Sequence, residues 1–158
     1  MKKVIAFLLV VIGFLLINFA GLGLGSLFTN PGANSEWYEG LDKAPWTPPG
    51  WAFGAAWFTI MVCFSFFCAI RFKSEQKHTF KKLFISAWIL NVLWNPVFFY
   101  GQYILTGLIV IFSLTCLIIY WQLKSFRDEP KVSLLLMPYS LWLCVATSLN
   151  AYIFLMNP

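Results

Sequence analysis

The sequence predicts an all-α integral membrane protein, a bundle of five transmembrane helices with a long extracytoplasmic loop between the first two. Of its 158 residues, 60% are hydrophobic and only 11% are charged, whereas a soluble domain carries about a quarter charged residues. Such a chain cannot cover its surface with polar groups, so we expect lipid to be its solvent. The whole chain, residues 1–158, is interpreted as one membrane domain because it shows no internal repeat and no low-complexity tract.

Five apolar runs of 18 to 24 residues define the predicted helices, and none of them contains Asp, Glu, Lys, Arg or His. A helix of this length rises about 27–36 Å at about 1.5 Å per residue, which matches the hydrocarbon thickness of a bilayer. The predicted spans are Val4–Leu27, Trp51–Ile70, Leu83–Tyr100, Ile104–Trp121 and Val132–Leu155.

The basic residues are distributed unevenly between the two sides of the predicted bundle. Ten of the eleven lie at the N-terminus or between spans 2 and 3 or 4 and 5, and the other side holds only Lys43. The positive-inside rule therefore predicts a cytoplasmic N-terminus and an outside C-terminus. We expect a bacterial plasma membrane, because nothing resembles an organelle transit peptide. Topology then explains the net charge of +5, and nucleic acid is not an expected partner.

Residue types that commonly carry catalysis or bind metals are scarce. The four cysteines fall inside predicted spans without a C-x-x-C pair, and the single histidine, His78, lies in the basic segment between spans 2 and 3. No nucleotide-binding loop, Ser-His-Asp order or paired carboxylates appear. We therefore predict no metal site and no required cofactor, and we interpret the cysteines as small packing residues.

The loop between the first two spans, about residues 28–50, concentrates aromatic and proline residues. Trp37, Tyr38 and Trp46 stand beside Lys43, and three prolines stiffen the stretch "APWTPP". One interpretation is an interfacial aromatic belt, since these side chains have an apolar body and a polar edge. The other is a lid over the mouth of the bundle, in which these residues supply aromatic walls and one cation to a ligand.

Polar faces distinguish the third predicted span. Asn91, Asn95 and Phe98 recur at i, i+4 and i+7, which places them on one helix face. A carboxamide in hydrocarbon must find partners, so this face should point into the bundle. Pro96 cannot donate a backbone hydrogen bond, which predicts a kink.

The fifth predicted span repeats this arrangement. Trp142, Ala146 and Asn150 share a face, and Pro138 predicts a second kink. Hydrogen bonds between helices would explain the asparagines of both spans without any ligand. Alternatively, the two faces enclose a cavity for a flat, mostly apolar molecule.

Three motifs together resemble one family. They are "WYEGLDKAPWTPP" at residues 37–49, "NVLWNPVFF" at 91–99 and "PYSLWLCVATSLN" at 138–150. They are similar, in order and spacing, to the hallmarks of the TspO/MBR family, the tryptophan-rich sensory proteins and translocator proteins. One departure is visible, because Ala44 and then Pro45 follow the loop lysine where the family has proline directly.

The resemblance implies a five-helix bundle whose first loop covers a ligand pocket. Members bind porphyrins, notably protoporphyrin, and several bind isoquinoline carboxamide or benzodiazepine drugs; homodimers are common. Some bacterial members promote light-dependent breakdown of protoporphyrin, which by position implicates Trp57 and Trp142 as photochemical residues. The ligand-binding positions implied in the same way are Tyr38, Pro48, Asn91, Asn95, Phe98, Trp142 and Ala146.

Two other functional classes stay open from the sequence. One is a passive transporter of porphyrin or another amphiphile, because spans without ionisable residues argue against an ion-coupled pump. The other is a regulator that acts through a protein partner at the basic segment "RFKSEQKHTFKK", which is also suited to membrane lipid contact. Gly21 and Gly25 form a G-x-x-x-G pattern that fits close packing within the bundle or a dimer seam.

Overall fold

The computed structural model describes residues 1–157 and confirms five helices that are long and apolar enough to cross a membrane. Two one-turn helices accompany them. The helices are α1 (Lys2–Ala33), α2 (Glu36–Glu39), α3 (Gly50–Ser74), α4 (Lys77–Asn95), α5 (Ile104–Asp128), α6 (Pro130–Ser133) and α7 (Met137–Met156). The spans correspond to α1, α3, α4, α5 and α7.

Charged residues mark one end of the bundle, which we call the basic end, and there α3, α4 and α5 extend past the predicted spans by four to seven residues. Apolar windows stop where charges begin, but backbone hydrogen bonds continue past that point. The segment predicted as a basic loop is consequently helical, and only Glu75 and Gln76 separate α3 from α4. At the opposite end α1 continues to Ala33 with Pro31 inside it, so the long loop begins at residue 34 rather than about 28.

The five long helices form a closed ring. α1 contacts α3 and α4, α7 contacts α3 and α5, and α4 contacts α5. Around the ring the order is therefore α1, α3, α7, α5 and α4. Near the basic end the interior of this ring is filled by fully buried side chains, among them Phe67, Leu114, Trp121 and Leu143. A site in the interior of the ring is therefore confined to the opposite end, where the loop between α1 and α3 lies.

Glycines bring α1 into close contact with α4. A Cβ atom added to Gly21 would lie 2.7 Å from Trp88 Nε1, and one added to Gly25 would lie 2.5 Å from Asn95 Nδ2. At these separations only a glycine fits. The pair Gly21 and Gly25 therefore serves packing within the bundle, which decides between the two alternatives that the sequence left open.

Both prolines alter the helices, but in different ways. After Asn95 the chain forms a π-helical turn over Pro96–Tyr100, as expected where a missing N–H disturbs the ladder. Pro138 instead lies in the first turn of α7, where no donor is needed, and a 3₁₀ turn (Leu134–Leu136) comes before it. The fifth span thus consists of α6, a 3₁₀ turn and the 20-residue α7, and the irregularity lies just before Pro138 at the start of α7.

We predict that Gly25→Leu destabilises the protein because its side chain collides with Asn95. Overpacking of this kind costs about 1–3 kcal/mol, which corresponds to a fall in melting temperature of roughly 2–12 °C for a chain of this size. Gly23→Leu is the matched control, since a Cβ at Gly23 meets nothing within 4 Å. Equal melting temperatures for the two variants in the same detergent would contradict the α1–α4 contact.

Candidate functional site

The connection between α1 and α3 forms a lid, residues 36–49, that is attached to the end of α7. The backbone N–H of Asp42 donates to Asn157 Oδ1 at 3.0 Å, and Asn157 Nδ2 donates back to the Asp42 carbonyl at 3.2 Å. Trp46 Nε1 donates to Ser148 Oγ at 3.2 Å, and its ring meets the Tyr152 ring edge-on at 5.3 Å. The lid residue Trp46 is therefore an anchor on α7, with 53% of its surface still exposed.

The start of the lid covers an aromatic cluster on α4. The Trp37 ring lies edge-on to Phe98 with a centroid separation of 5.6 Å, and Tyr38 lies 6.3 Å from Phe98. Tyr38 also approaches Phe99 at 5.4 Å. Trp94 stacks on Phe98 at 5.2 Å. The structure thus brings the predicted residues Trp37, Tyr38 and Phe98 together.

Lys43, the lid cation, lies against this cluster. Its Nζ is 4.5 Å from the centroid of the Tyr38 ring, which is within the range of a cation–π contact. Burial raises the pKa of the Tyr38 phenol, so the hydroxyl keeps its proton and can donate a hydrogen bond. Lys43 and Tyr38 together offer one positive charge and one neutral donor under the lid.

A second aromatic group lies between α3 and α7. Trp57 on α3 meets Tyr139 edge-on at 6.0 Å, and Phe53 meets Trp142 at 5.1 Å. Both tryptophans implicated in photochemistry are half-buried and lie on neighbouring helices of the ring. Ala146 follows Trp142 by one turn of α7 and packs against the same core.

A hydrogen bond joins the first aromatic group to α7, the helix that carries Trp142, across the interior of the ring. Trp94 Nε1 on α4 donates to Asn150 Oδ1 on α7 at 3.2 Å, and Asn150 Nδ2 donates to the Ala146 carbonyl at 2.9 Å. Asn150 is buried, and its carboxamide is held at both ends by these hydrogen bonds. Trp94 and Asn150 belong to the candidate site although neither was among the predicted site residues.

The side chain of Asn95 on α4 is directed to α1. Asn95 Oδ1 accepts from Thr29 Oγ1 of α1 at 2.5 Å, and its Nδ2 donates to the Asn91 carbonyl at 3.2 Å. Asn95 therefore serves the α1–α4 contact and stands apart from Phe98. Asn91 is half-buried, and its backbone carbonyl is the part that joins this network. Pro48 is half-buried in the lid just before α3.

A groove gives access to Trp142 from the outside of the bundle. It lies between α3 and α7, measures about 380 Å³, and is mainly apolar. Small side chains at Ala55 and Ala56 form one wall, while Pro138 and Val145 flank Trp142 on the other. Trp142 can therefore be contacted from the ring interior and from the lipid-facing side.

The basic end holds a cluster of buried ions that the sequence analysis missed. The Arg71 side chain is only 3% exposed; its Nη2 lies 3.0 Å from Asp128 Oδ2 and its Nη1 3.5 Å from Glu129 Oε1. Glu75, also 3% exposed, pairs with Lys124 and accepts from Trp121 Nε1 at 3.2 Å. The signal was present in the spacings Arg71–Glu75 and Lys124–Asp128, both i and i+4, which favour pairing on helices.

Comparison with known proteins places the chain in a family. The TspO/MBR family matches residues 13–156. The chain is 34% identical over 157 residues to tryptophan-rich protein TspO of Archaeoglobus fulgidus, covering 98% of this chain and 97% of the relative. It is 34% identical over 163 residues to the protein of the same name from Chlorobaculum tepidum, covering both chains fully. The human translocator protein is 29% identical over 143 residues, with 87% of this chain and 84% of the relative covered.

These matches agree with the five membrane-spanning helices and with the positions of the three motifs. The chain is an integral membrane protein, and it belongs to the TspO/MBR family.

Proposed function

We propose that this protein is a membrane-embedded receptor for tetrapyrroles of the protoporphyrin type. The observation that carries the proposal is the presence of two aromatic groups, one around Phe98 and one around Trp142, on helices that the Trp94–Asn150 hydrogen bond connects. A porphyrin has a broad π-face that suits edge-on and stacked aromatic contacts. Synthetic isoquinoline carboxamides have the same flat, apolar character and are proposed as further ligands.

The lid supplies the polar groups that would contact the carboxylates of the proposed ligand. Porphyrin carboxylates need a cation and hydrogen-bond donors, and Lys43 and Tyr38 provide them next to the aromatic cluster. A charge-assisted hydrogen bond of this kind is stronger than a neutral one. We infer an orientation with the macrocycle towards α3 and α7 and the carboxylates towards Lys43.

The packed basic half supports a receptor over a transporter. Cys68, Ala69, Leu114 and Trp121 are fully buried across the ring interior, so a macrocycle has no continuous path from one end of the bundle to the other. A site that is reached through the groove between α3 and α7 suits binding and release without passage through the bundle. By the positive-inside rule, we place the lid outside the cytoplasm.

We also propose a slow photochemical activity that uses Trp57 and Trp142. On illumination one indole gives an electron to the excited porphyrin, which leaves an indole radical cation and a porphyrin radical anion. Dioxygen takes the electron from the porphyrin radical anion and becomes superoxide, and the indole radical cation regains its electron from the macrocycle. Superoxide then adds to the resulting porphyrin radical cation, and a methine carbon–carbon bond breaks to leave two carbonyl groups. We further propose that the protein forms a homodimer, as the resemblance to the family implies. The dimer interface lies away from Gly21 and Gly25, because α4 covers both.

We predict that Trp142→Phe weakens binding of protoporphyrin by about tenfold, because a smaller ring loses part of the aromatic contact. The measurement is saturable quenching of tryptophan fluorescence in the dark, with purified protein in detergent. Trp51→Phe is the control, since Trp51 is 76% exposed and should leave the affinity unchanged. Identical affinities for wild type and Trp142→Phe would show that Trp142 does not contribute to the binding site.

We predict that the double variant Trp57→Phe/Trp142→Phe loses light-dependent breakdown of protoporphyrin while it still binds the ligand at saturating concentration. Phenylalanine keeps much of the contact surface but is much harder to oxidise than indole. The readout is loss of porphyrin absorbance under light in air, compared with wild type and Trp51→Phe. Unchanged breakdown in the double variant would exclude these two residues from the photochemistry.

A further inference from the structure

A polar cavity lies at the basic end of the bundle, far from the lid. It measures about 500 Å³ and opens between the α3–α4 turn and α5. The buried ions Arg71 and Glu75 form its floor, and Lys124 and Asp128 stand on its α5 side. Hydroxyl and amide groups complete the lining at Ser74, Gln76, Thr79 and Tyr120.

The depth of this cavity matches the headgroup layer of a bilayer. The apolar run of α5 ends at Trp121, and at about 1.5 Å per residue Lys124 and Asp128 stand about 5 and 11 Å beyond it. The headgroup layer is about 5–8 Å thick on each side of the hydrocarbon. Tyr120, which is 57% exposed, faces outward at the boundary, where tyrosine is favoured. Lys124 therefore lies at the depth of the lipid headgroups, and Asp128 lies about 3–6 Å beyond that layer on the water side, where the terminal ammonium of a headgroup points.

The deepest polar groups near the cavity are separate from those that a ligand could contact. Among residues 1–157, only two buried side-chain polar atoms lack a hydrogen-bond partner, Arg71 Nε and Ser125 Oγ, and both lie at this end. Arg71 Nε is 3.6 Å from Glu75 Oε2, which allows an ion pair but no hydrogen bond. Both atoms are enclosed by the protein, and Ser125 is not part of the cavity lining, so the groups that a ligand can reach are the partly exposed side chains of Lys124 and Asp128.

The charges of the cavity favour a ligand that carries a cation as well as an anion. Two cations, Arg71 and Lys124, face three carboxylates of Glu75, Asp128 and Glu129, so the cluster sums to −1. The Asp128 side chain is 55% exposed and gives only Oδ2 to Arg71, which leaves Oδ1 to accept from an ammonium. Lys124 has three donors and uses one on Glu75, which leaves donors for a phosphate.

We propose that this cavity binds the phosphoethanolamine headgroup of a bilayer phospholipid. Its phosphate contacts Lys124, supported by donors from Thr79, Gln76 and Tyr120, and its primary ammonium contacts Asp128. A short ethylene bridge separates the two charges, and Lys124 and Asp128 stand one helical turn apart on α5. Choline headgroups fit less well because methylation removes the N–H donors, and glycerol headgroups lack the cation.

The test compares melting temperatures of the full-length protein in nanodiscs with identical acyl chains. The discs contain phosphatidylcholine alone or phosphatidylcholine mixed with either phosphatidylethanolamine or phosphatidylglycerol. We expect phosphatidylethanolamine to raise the melting temperature by about 2–4 °C over phosphatidylcholine. Native mass spectrometry should then show one retained phosphatidylethanolamine per chain.

Variants separate headgroup binding from a purely structural role of the ion cluster. Asp128→Asn should abolish the difference between the two lipids, and Tyr120→Phe, which leaves the ion cluster intact, should reduce it. Arg127→Gln, at an exposed neighbour outside the cavity lining, should keep it. Because Asp128→Asn also breaks a contact to Arg71, the measured quantity is the difference between lipids within each variant.

Three results would overturn the proposal. The first is equal stability of wild type in phosphatidylethanolamine and phosphatidylcholine. The second is an undiminished lipid difference in Asp128→Asn, which would identify a bulk property of the bilayer. The third is an equal shift caused by soluble glycerophosphoethanolamine in phosphatidylcholine discs, which would assign the cavity to a free phosphate ester rather than a lipid.

Discussion

The hydrogen bond between Trp94 and Asn150 is the contact on which the lid end depends. α4 and α7 are not neighbours in the ring, since α5 stands between them, yet this bond joins them across the interior. In hydrocarbon a buried carboxamide or indole N–H without a partner costs several kcal/mol. The bond therefore fixes the distance between the two helices at this depth. It also sets the separation of the aromatic group under the lid from the group around Trp142.

The two ends of the ring are built by different physical means. At the basic end, large side chains such as Phe67 and Trp121 fill the interior, and buried ion pairs close it. At the lid end the helices are separated by half-buried aromatic residues, and the covering comes from the lid. The start of the lid packs on Phe98 and Phe99 through Trp37 and Tyr38, whereas its later part is attached through hydrogen bonds at Asp42 and Trp46. These hydrogen bonds are exposed contacts of modest strength, so this later part of the lid can be displaced at a much lower cost than the core.

The sequence predicted the five spans because an apolar run without charges has few other structures available to it in a membrane. It could not predict which α4 residues face which neighbour. A helical face of Asn91, Asn95 and Phe98 looks continuous in the sequence, but Trp88 and Asn95 turn to the glycines of α1 while Trp94 and Phe98 turn to the lid and α7. Which α4 side chains face α1 is determined by Gly21 and Gly25, which lie about 70 residues earlier in the chain.

The Arg71 cluster was missed for a related reason. Basic residues beyond a span were interpreted as topology signals. That interpretation uses only how many of them lie on each side of the membrane. Whether one of them is buried depends on acids from another helix, here Asp128 and Glu129, which follow Arg71 by more than 50 residues. Only the i and i+4 pairs within α3 and α5 were visible locally, and such pairs are frequent on exposed helices as well.

The lid site and the basic-end cavity are far enough apart to act independently of each other. Trp57 and Arg71 are both on α3, separated by 14 residues, or about 21 Å at about 1.5 Å per residue. Between them lies close-packed core, which resists small displacements, and changes this far apart combine additively unless they share partners. A lipid headgroup at Arg71 would thus stabilise the closed basic half without touching the aromatic groups under the lid. Failure of either proposal leaves the other standing, because they share a helix but no contact.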